Sequence, residues 1–221
     1  ILPKSLHSIT FEQKTWRGGI ISAQMLTGDK YSLELGAGGG LVGLALALEC
    51  GVQSRLLVTD QQEMLDLMKH NVKLNNLQSR ATALILNWYA APHVFPFFSF
   101  SFFPTLDKFI LMLIEYRGEP LPQLVIEQKP NVILAAECVY FEPAFPLLMQ
   151  TLKDLLTLNS EAIVYFCFKK RRRADMQFVK MAKKAFKLQE LLDEDRPIFQ
   201  RQNISLFSLS SKTPAISPTI K

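Results

Sequence analysis

Leu33-Glu-Leu-Gly-Ala-Gly-Gly-Gly-Leu-Val-Gly43 decides how this chain folds. It grows out of Tyr31-Ser-Leu-Glu-Leu35, a short strand pattern, and leads into Leu41–Cys50, an apolar run rich in Leu and Ala that reads as a buried helix. A strand that turns through glycines straight into a helix opens an α/β unit. Glycine lets the backbone come close to a ligand, and the helix start offers N–H groups without intrahelical partners. A tight turn with no ligand is the plainer alternative. The crowding of Gly36, Gly38, Gly39, Gly40 and Gly43 favours a nucleotide-type cofactor.

The rest of the chain repeats the alternation. Strand patterns follow at Arg55–Thr59, Ala81–Leu86, Asn131–Ala136 and Ala162–Phe168, with two more near Phe186–Leu192 and at Ile204–Leu209. Helical spacing appears in Gln61–Asn75, Glu142–Leu158 and Asp175–Phe186. Strands alternating with helices imply right-handed crossovers, and continuous apolar strands imply burial on both faces. The expected fold is α/β: a Rossmann-like, seven-stranded, mostly parallel sheet with helices on both faces. One domain spans residues 1–209, and the Ser/Thr/Pro-rich 210–221 reads as a flexible tail.

Composition narrows the class. With 221 residues, 48% hydrophobic and 20% charged, the chain is globular and long enough for a sizeable core. Cys50, Cys138 and Cys167 are scattered, which fits a reducing compartment and no disulfide or zinc framework. No metal site is expected. The net charge of +5 is concentrated in Lys169-Lys-Arg-Arg-Arg173. That run could dock an acidic surface or RNA, but a solvated helix start is the reading preferred here. The chain begins at Ile1, so a longer natural N-terminus is expected, and what is present has no signal peptide.

The glycines leave the cofactor open. Gly38, Gly40 and Gly43 match the dinucleotide spacing Gly-x-Gly-x-x-Gly. Asp60, ending the second strand, would accept from ribose hydroxyls in a dinucleotide or in S-adenosylmethionine; its plainer role is to cap the helix from Gln61.

The glycine stretch, Val58-Thr-Asp60 and His70-Asn-Val-Lys-Leu-Asn75 together resemble the seven-β-strand S-adenosylmethionine-dependent methyltransferases, over about residues 14 to 210. More narrowly they resemble the protein-lysine branch called methyltransferase family 16, which usually has Gly-Thr-Gly where this chain has Gly38-Gly39-Gly40. The resemblance implies S-adenosylmethionine as cofactor, held by Trp16, Gly36, Ala37, Gly38, Gly40, Asp60, Trp88 and Ala136. Aromatic faces suit both adenine stacking and a sulfonium cation, although either Trp would also serve as core.

Ala135-Ala-Glu-Cys-Val-Tyr140 closes the fourth strand, where ligands bind in such sheets. The family usually carries Asp-x-x-Tyr there. This chain has Glu137 and Tyr140, followed by Phe141-Glu-Pro-Ala-Phe-Pro-Leu-Leu, similar to fungal members that act on elongation factor 1-alpha. These two are the catalytic candidates. A lysine amine has a reference pKa of about 10.4, and only its neutral form attacks a methyl group. A carboxylate can receive the ammonium and hold it in line, while partial burial lowers its pKa. The competing assignment is a Glu that caps the next helix and a Tyr in the core. The implied protein is a cytoplasmic, monomeric protein-lysine N-methyltransferase with a protein substrate and no membrane partner. The alternatives are a methyltransferase for RNA or a small molecule, with nucleic acid still open as partner, and a non-catalytic binding module. The Asn-Pro-Pro-Tyr signature of nucleic-acid amino methyltransferases is absent.

Residues 89–117 do not resemble the rest. Six phenylalanines fall between Phe95 and Pro104, broken by prolines. Without 89–117, Leu86-Asn-Trp88 runs into Gly118-Glu-Pro-Leu-Pro122, the family's usual Trp-Gly and Pro-containing loop. Pro96, Pro104 and Asp107-Lys108 argue against a membrane span. A substrate-gripping insertion and a translated retained intron remain, and the second is favoured. Trp-Tyr permits TGG-TAY, containing an intron-start GTA; Tyr-Arg permits TAY-AGG, containing a pyrimidine-AG end; and a pyrimidine-rich tract translates to Phe, Ser and Pro.

Overall fold

The computed structural model describes residues 31–49, 55–88, 120–191 and 196–212. Trp16, Cys50, the 89–117 segment and residues 213–221 lie outside them. Seven strands form one sheet: β1 (Ser32–Leu35), β2 (Leu56–Asp60), β3 (Ala81–Ile85), β4 (Val132–Ala136), β5 (Ile163–Lys169), β6 (Lys187–Glu190) and β7 (Ile204–Ser210). Their order is β3-β2-β1-β4-β5-β7-β6. The first five run parallel, with Leu33 opposite Leu57 on one side and Ile133 on the other, while β7 runs antiparallel to both β5 and β6.

The helices among the described residues are α1 (Leu41–Glu49), α2 (Leu65–Leu74), α3 (Gln123–Gln128), α4 (Phe145–Leu158), α5 (Asp175–Ala185) and α6 (Arg196–Arg201). Alternation along the strands sends side chains to two cores. Leu33, Leu35, Ile133 and Phe166 pack with Leu148 and Leu152 of α4 and Phe178 of α5. On the other face Leu44 and Ala47 of α1 and Met68 and Val72 of α2 meet Leu56 and Val58. Phe178 stacks on Phe166 at 5.0 Å between centroids and meets Phe145 edge-on at 5.5 Å, which ties α5 to the middle of the sheet. Burying such a ring stabilises the fold by about 2–3 kcal/mol.

Several boundaries moved. The helices expected from Gln61 and from Glu142 each open with one 3-10 turn, Gln62–Met64 and Glu142–Ala144. Two six-residue helices, α3 and α6, were not anticipated. The last strand includes Ser210, and Lys212 donates through Nζ to the carbonyls of Lys183 and Lys184 at 3.0 and 2.8 Å.

Candidate active site

The chain leaves β1 towards β2 and β3 on one side and returns through β4 and β5 on the other. The crevice at that switch point, beyond the C-terminal strand ends, is where a ligand belongs in an open α/β sheet. A cavity of about 240 Å³ lies there, lined by the turn after β1, the end of β2, the segment after β3 and the segment after β4.

The glycine turn is shaped by backbone that other residues rarely adopt. Gly36, Gly38 and Gly40 have φ of 65°, 55° and 80°. Around Gly40 there is no spare room, since a Cβ would come within 2.8 Å of Val58 Cγ1. Gly38 differs: a Cβ there would meet nothing within 4 Å, and the residue lines the cavity. Gly36 sits where three strand ends converge, with its missing Cβ 3.0 Å from Cys138 Sγ and 3.4 Å from Trp88 Nε1.

Asp60 ties the turn to β2. Its Oδ2 accepts the Gly38 N–H at 2.6 Å and its Oδ1 accepts the Gln61 N–H at 2.7 Å. It is not the helix cap of the plainer reading, because Gln61 holds the cap position of the 3-10 turn with no side-chain bond. Each carboxylate oxygen retains a second lone pair, and the group lines the cavity. Asn71 of α2 braces the turn from behind, donating to the Gly39 carbonyl at 2.8 Å.

Beneath the turn lies Glu34, 2% exposed. Its Oε2 accepts the Gly43 N–H at 3.0 Å, and a Cβ on Gly43 would strike that oxygen at 2.6 Å. Gly43 therefore lets α1 close over a carboxyl. Burial pushes Glu34 up to about 8, against the backbone bonds from Gly43 and Val42, with Asp60 adding a smaller rise.

Glu137 occupies a left-handed conformation, φ 57°, unusual for a residue with a long side chain. Its N–H donates to Cys167 O at 2.8 Å, and its carboxylate turns to accept the Lys169 N–H through Oε1. Its Oε2 forms an ion pair with Arg171 Nη1. Glu137 is thus fastened to the end of β5, and it does not cap the following helix, whose cap residue is Phe141. Tyr140 is 60% exposed at the cavity mouth, so it is not a core tyrosine.

The basic run is not simply a solvated helix start. Besides the Arg171 ion pair, Arg172 donates to Tyr140 O at 2.6 Å and to Asp175 Oδ1 at 3.1 Å. Asp175, 1% exposed, also accepts the N–H groups of Arg171 and Arg172 at 2.8 and 2.9 Å. Burial raises its pKa, but these donors outweigh it and hold the carboxyl below its ordinary 3.8. The run is exposed, as read, and in addition two of its arginines reach back to the segment after β4, held in place by a buried Asp two residues beyond the run.

Of the residues expected in the site, Gly36, Gly38, Asp60, Trp88, Glu137 and Tyr140 line the cavity together. Trp88 is 6% exposed and serves core and cavity wall at once. Gly40, Ala37 and Ala136 shape the surroundings but do not line it; Ala37 donates to Thr59 O at 3.0 Å. Gln61, Met64, Leu86, Asn87 and Cys138 also line it and were not anticipated. Cys138 is buried, with Sγ donating to Leu35 O at 3.2 Å.

A family model described as lysine methyltransferase matches residues 7–96 and 112–185, passing over 97–111 within the unusual segment. The chain belongs to the lysine methyltransferase family. Among similar proteins, Protein-lysine N-methyltransferase EFM6 of Saccharomyces cerevisiae is 32% identical over 83% of this chain and 68% of its own length. EEF1A lysine methyltransferase 3 of Mus musculus is 28% identical over 76% of this chain and 58% of its own length. This family member therefore spans about two thirds or less of these relatives. The S-adenosylmethionine-dependent methyltransferase SibL, in its apo form, is similar in fold alone, with a TM-score of 0.54 at 12% identity over 91% of this chain and 55% of that one. Among the described residues no helix is long and apolar enough to cross a membrane.

Proposed function

We propose that this chain is an S-adenosylmethionine-dependent protein-lysine N-methyltransferase acting on translation elongation factor 1A in the cytoplasm. The observation that carries the reading is the placement of Glu137. An acidic residue just past the end of β4, held in left-handed backbone, lines the same cavity as the glycine turn and Asp60, with its carboxylate fastened beside it to Lys169 N–H and Arg171. Support for the substrate comes from the mouse relative, whose name specifies EEF1A lysine.

The residues present fit the cofactor. Asp60 would take ribose hydroxyls, and Met64, Leu86 and Trp88 would give an apolar wall for a purine. The open side of Gly38 would leave room for close approach. When bound, S-adenosylmethionine supplies a methyl group made electrophilic by its sulfonium.

The chain's own residues handle the lysine. Glu137 would receive the ammonium and hold its nitrogen in line, while Tyr140 at the mouth would flank the aliphatic stem. The ammonium would first lose its proton to solvent, and Glu137 and Tyr140 would keep the resulting neutral nitrogen aimed at the electrophilic methyl group. Most of the acceleration would come from alignment.

Methyl transfer to purified elongation factor 1A, with calorimetric titration of the cofactor alongside, tests the reading. Glu137→Ala should lower kcat about 100-fold while cofactor affinity moves less than about twofold. Equal loss in both would remove the assigned role.

A further inference from the structure

Glu137 is already in an ion pair before any substrate arrives: Arg171 Nη1 pairs with the very carboxylate oxygen, Oε2, that is not committed to the Lys169 N–H. The root of Arg171 is anchored, since its N–H donates to the buried Asp175 at 2.8 Å, whereas its side chain is 49% exposed. A fixed backbone carrying a half-solvated guanidinium can release its partner and return without disturbing the loop. Arg172 is engaged elsewhere, with Tyr140 O and Asp175.

We propose that Arg171 is a stand-in for the substrate, a cation that occupies Glu137 in the resting enzyme and is displaced into solvent by the incoming lysine ammonium. This rests on the reading of Glu137 as the lysine-holding group. The carboxylate side chain is 16% exposed, so leaving it unpaired is costly. Exchange of one cation for another avoids that cost. A neutral side chain such as Gln, Asn or Ser brings no charge in return and is refused. Arg171 is therefore a specificity-determining residue that sets how readily a cationic side chain enters.

The test is steady-state methyl transfer to elongation factor 1A by wild type, R171M and R171K, with thermal unfolding and cofactor titration as checks on folding. Removing the competing cation should lower KM for the protein substrate about two- to fivefold in R171M, the range expected of a half-exposed ion pair. The rate at saturating protein should change less than KM, and R171K should restore the wild-type KM. A KM that stays level or rises in folded R171M overturns the stand-in role, since Arg171 would then position Glu137 or grip the substrate. If wild type transfers no methyl group to protein lysine, the proposed function fails and this inference fails with it; if wild type is active and only R171M behaves otherwise, the inference alone fails.

Discussion

Gly38 and Gly40 look alike in sequence and differ in consequence. Both have positive φ, but Gly40 has Val58 Cγ1 2.8 Å from where its Cβ would stand and Gly38 has open cavity. Gly40→Ala should cost about 2 kcal/mol or more of stability through strain and overpacking. Gly38→Ala should cost about 1 kcal/mol yet weaken cofactor binding at least about tenfold, because its methyl group fills ligand space. Chemical denaturation and calorimetry on the two variants separate these outcomes. Glu34 gives a pH signature. Its folded pKa, about 8, lies above the ordinary 4.5, so its contribution to stability is fully present below 4.5 and is lost as pH rises through 8. Glu34→Gln, which carries no charge, should gain on wild type across that window with a slope approaching about 1.4 kcal/mol per pH unit, then level off. Unfolding curves at a series of pH values would check it. Asp60 and Glu137 were legible because carboxylates at strand ends carry chemistry, and Trp88 through the family resemblance. Sequence did not expose Glu34 or Cys138, whose roles come from burial across strands distant in the chain.

Among the elements, the parallel strands were the most legible, because Leu56-Leu-Val58 and Val132-Ile-Leu134 are apolar on both faces and cannot sit at a surface. The short helices were hidden. Six residues make less than two turns, so α3, entered from Pro122 and closed by left-handed Lys129, displays no period. The loop before α5 is exposed, as its charges indicate, but its organiser, the buried Asp175, is not legible from charge alone. Asp175→Ala should cost about 2 kcal/mol at neutral pH and loosen the loop that carries Arg171. The folded pKa of Asp175 is depressed, so the wild-type advantage should persist above 3.8 and fade as pH falls through the lower folded value. Acid unfolding of both proteins measures this.

For the whole molecule, the deciding comparison is the chain with and without residues 89–117, which follow Trp88 in sequence. If the segment is a translated intron, a protein lacking it should bind S-adenosylmethionine more tightly than the full chain by calorimetric titration. Equal binding would make it a tolerated insertion, and spliced transcripts lacking its codons would argue for the intron directly. The family match passes over 97–111 alone and includes 89–96 and 112–117.

Among the described residues, the strand made last is not at the edge of the sheet. β7 lies between β5 and β6 and pairs with both. On the ribosome, β6 must therefore wait for a neighbour that has not yet been synthesised, and β5 must wait with the row of N–H and C=O groups beside Val164-Tyr-Phe-Cys-Phe168 unpaired. A premature stop before Ile204 would not yield a slightly shorter enzyme. It would leave an unfinished sheet with an apolar edge, a template for aggregation and a target for chaperones and proteases.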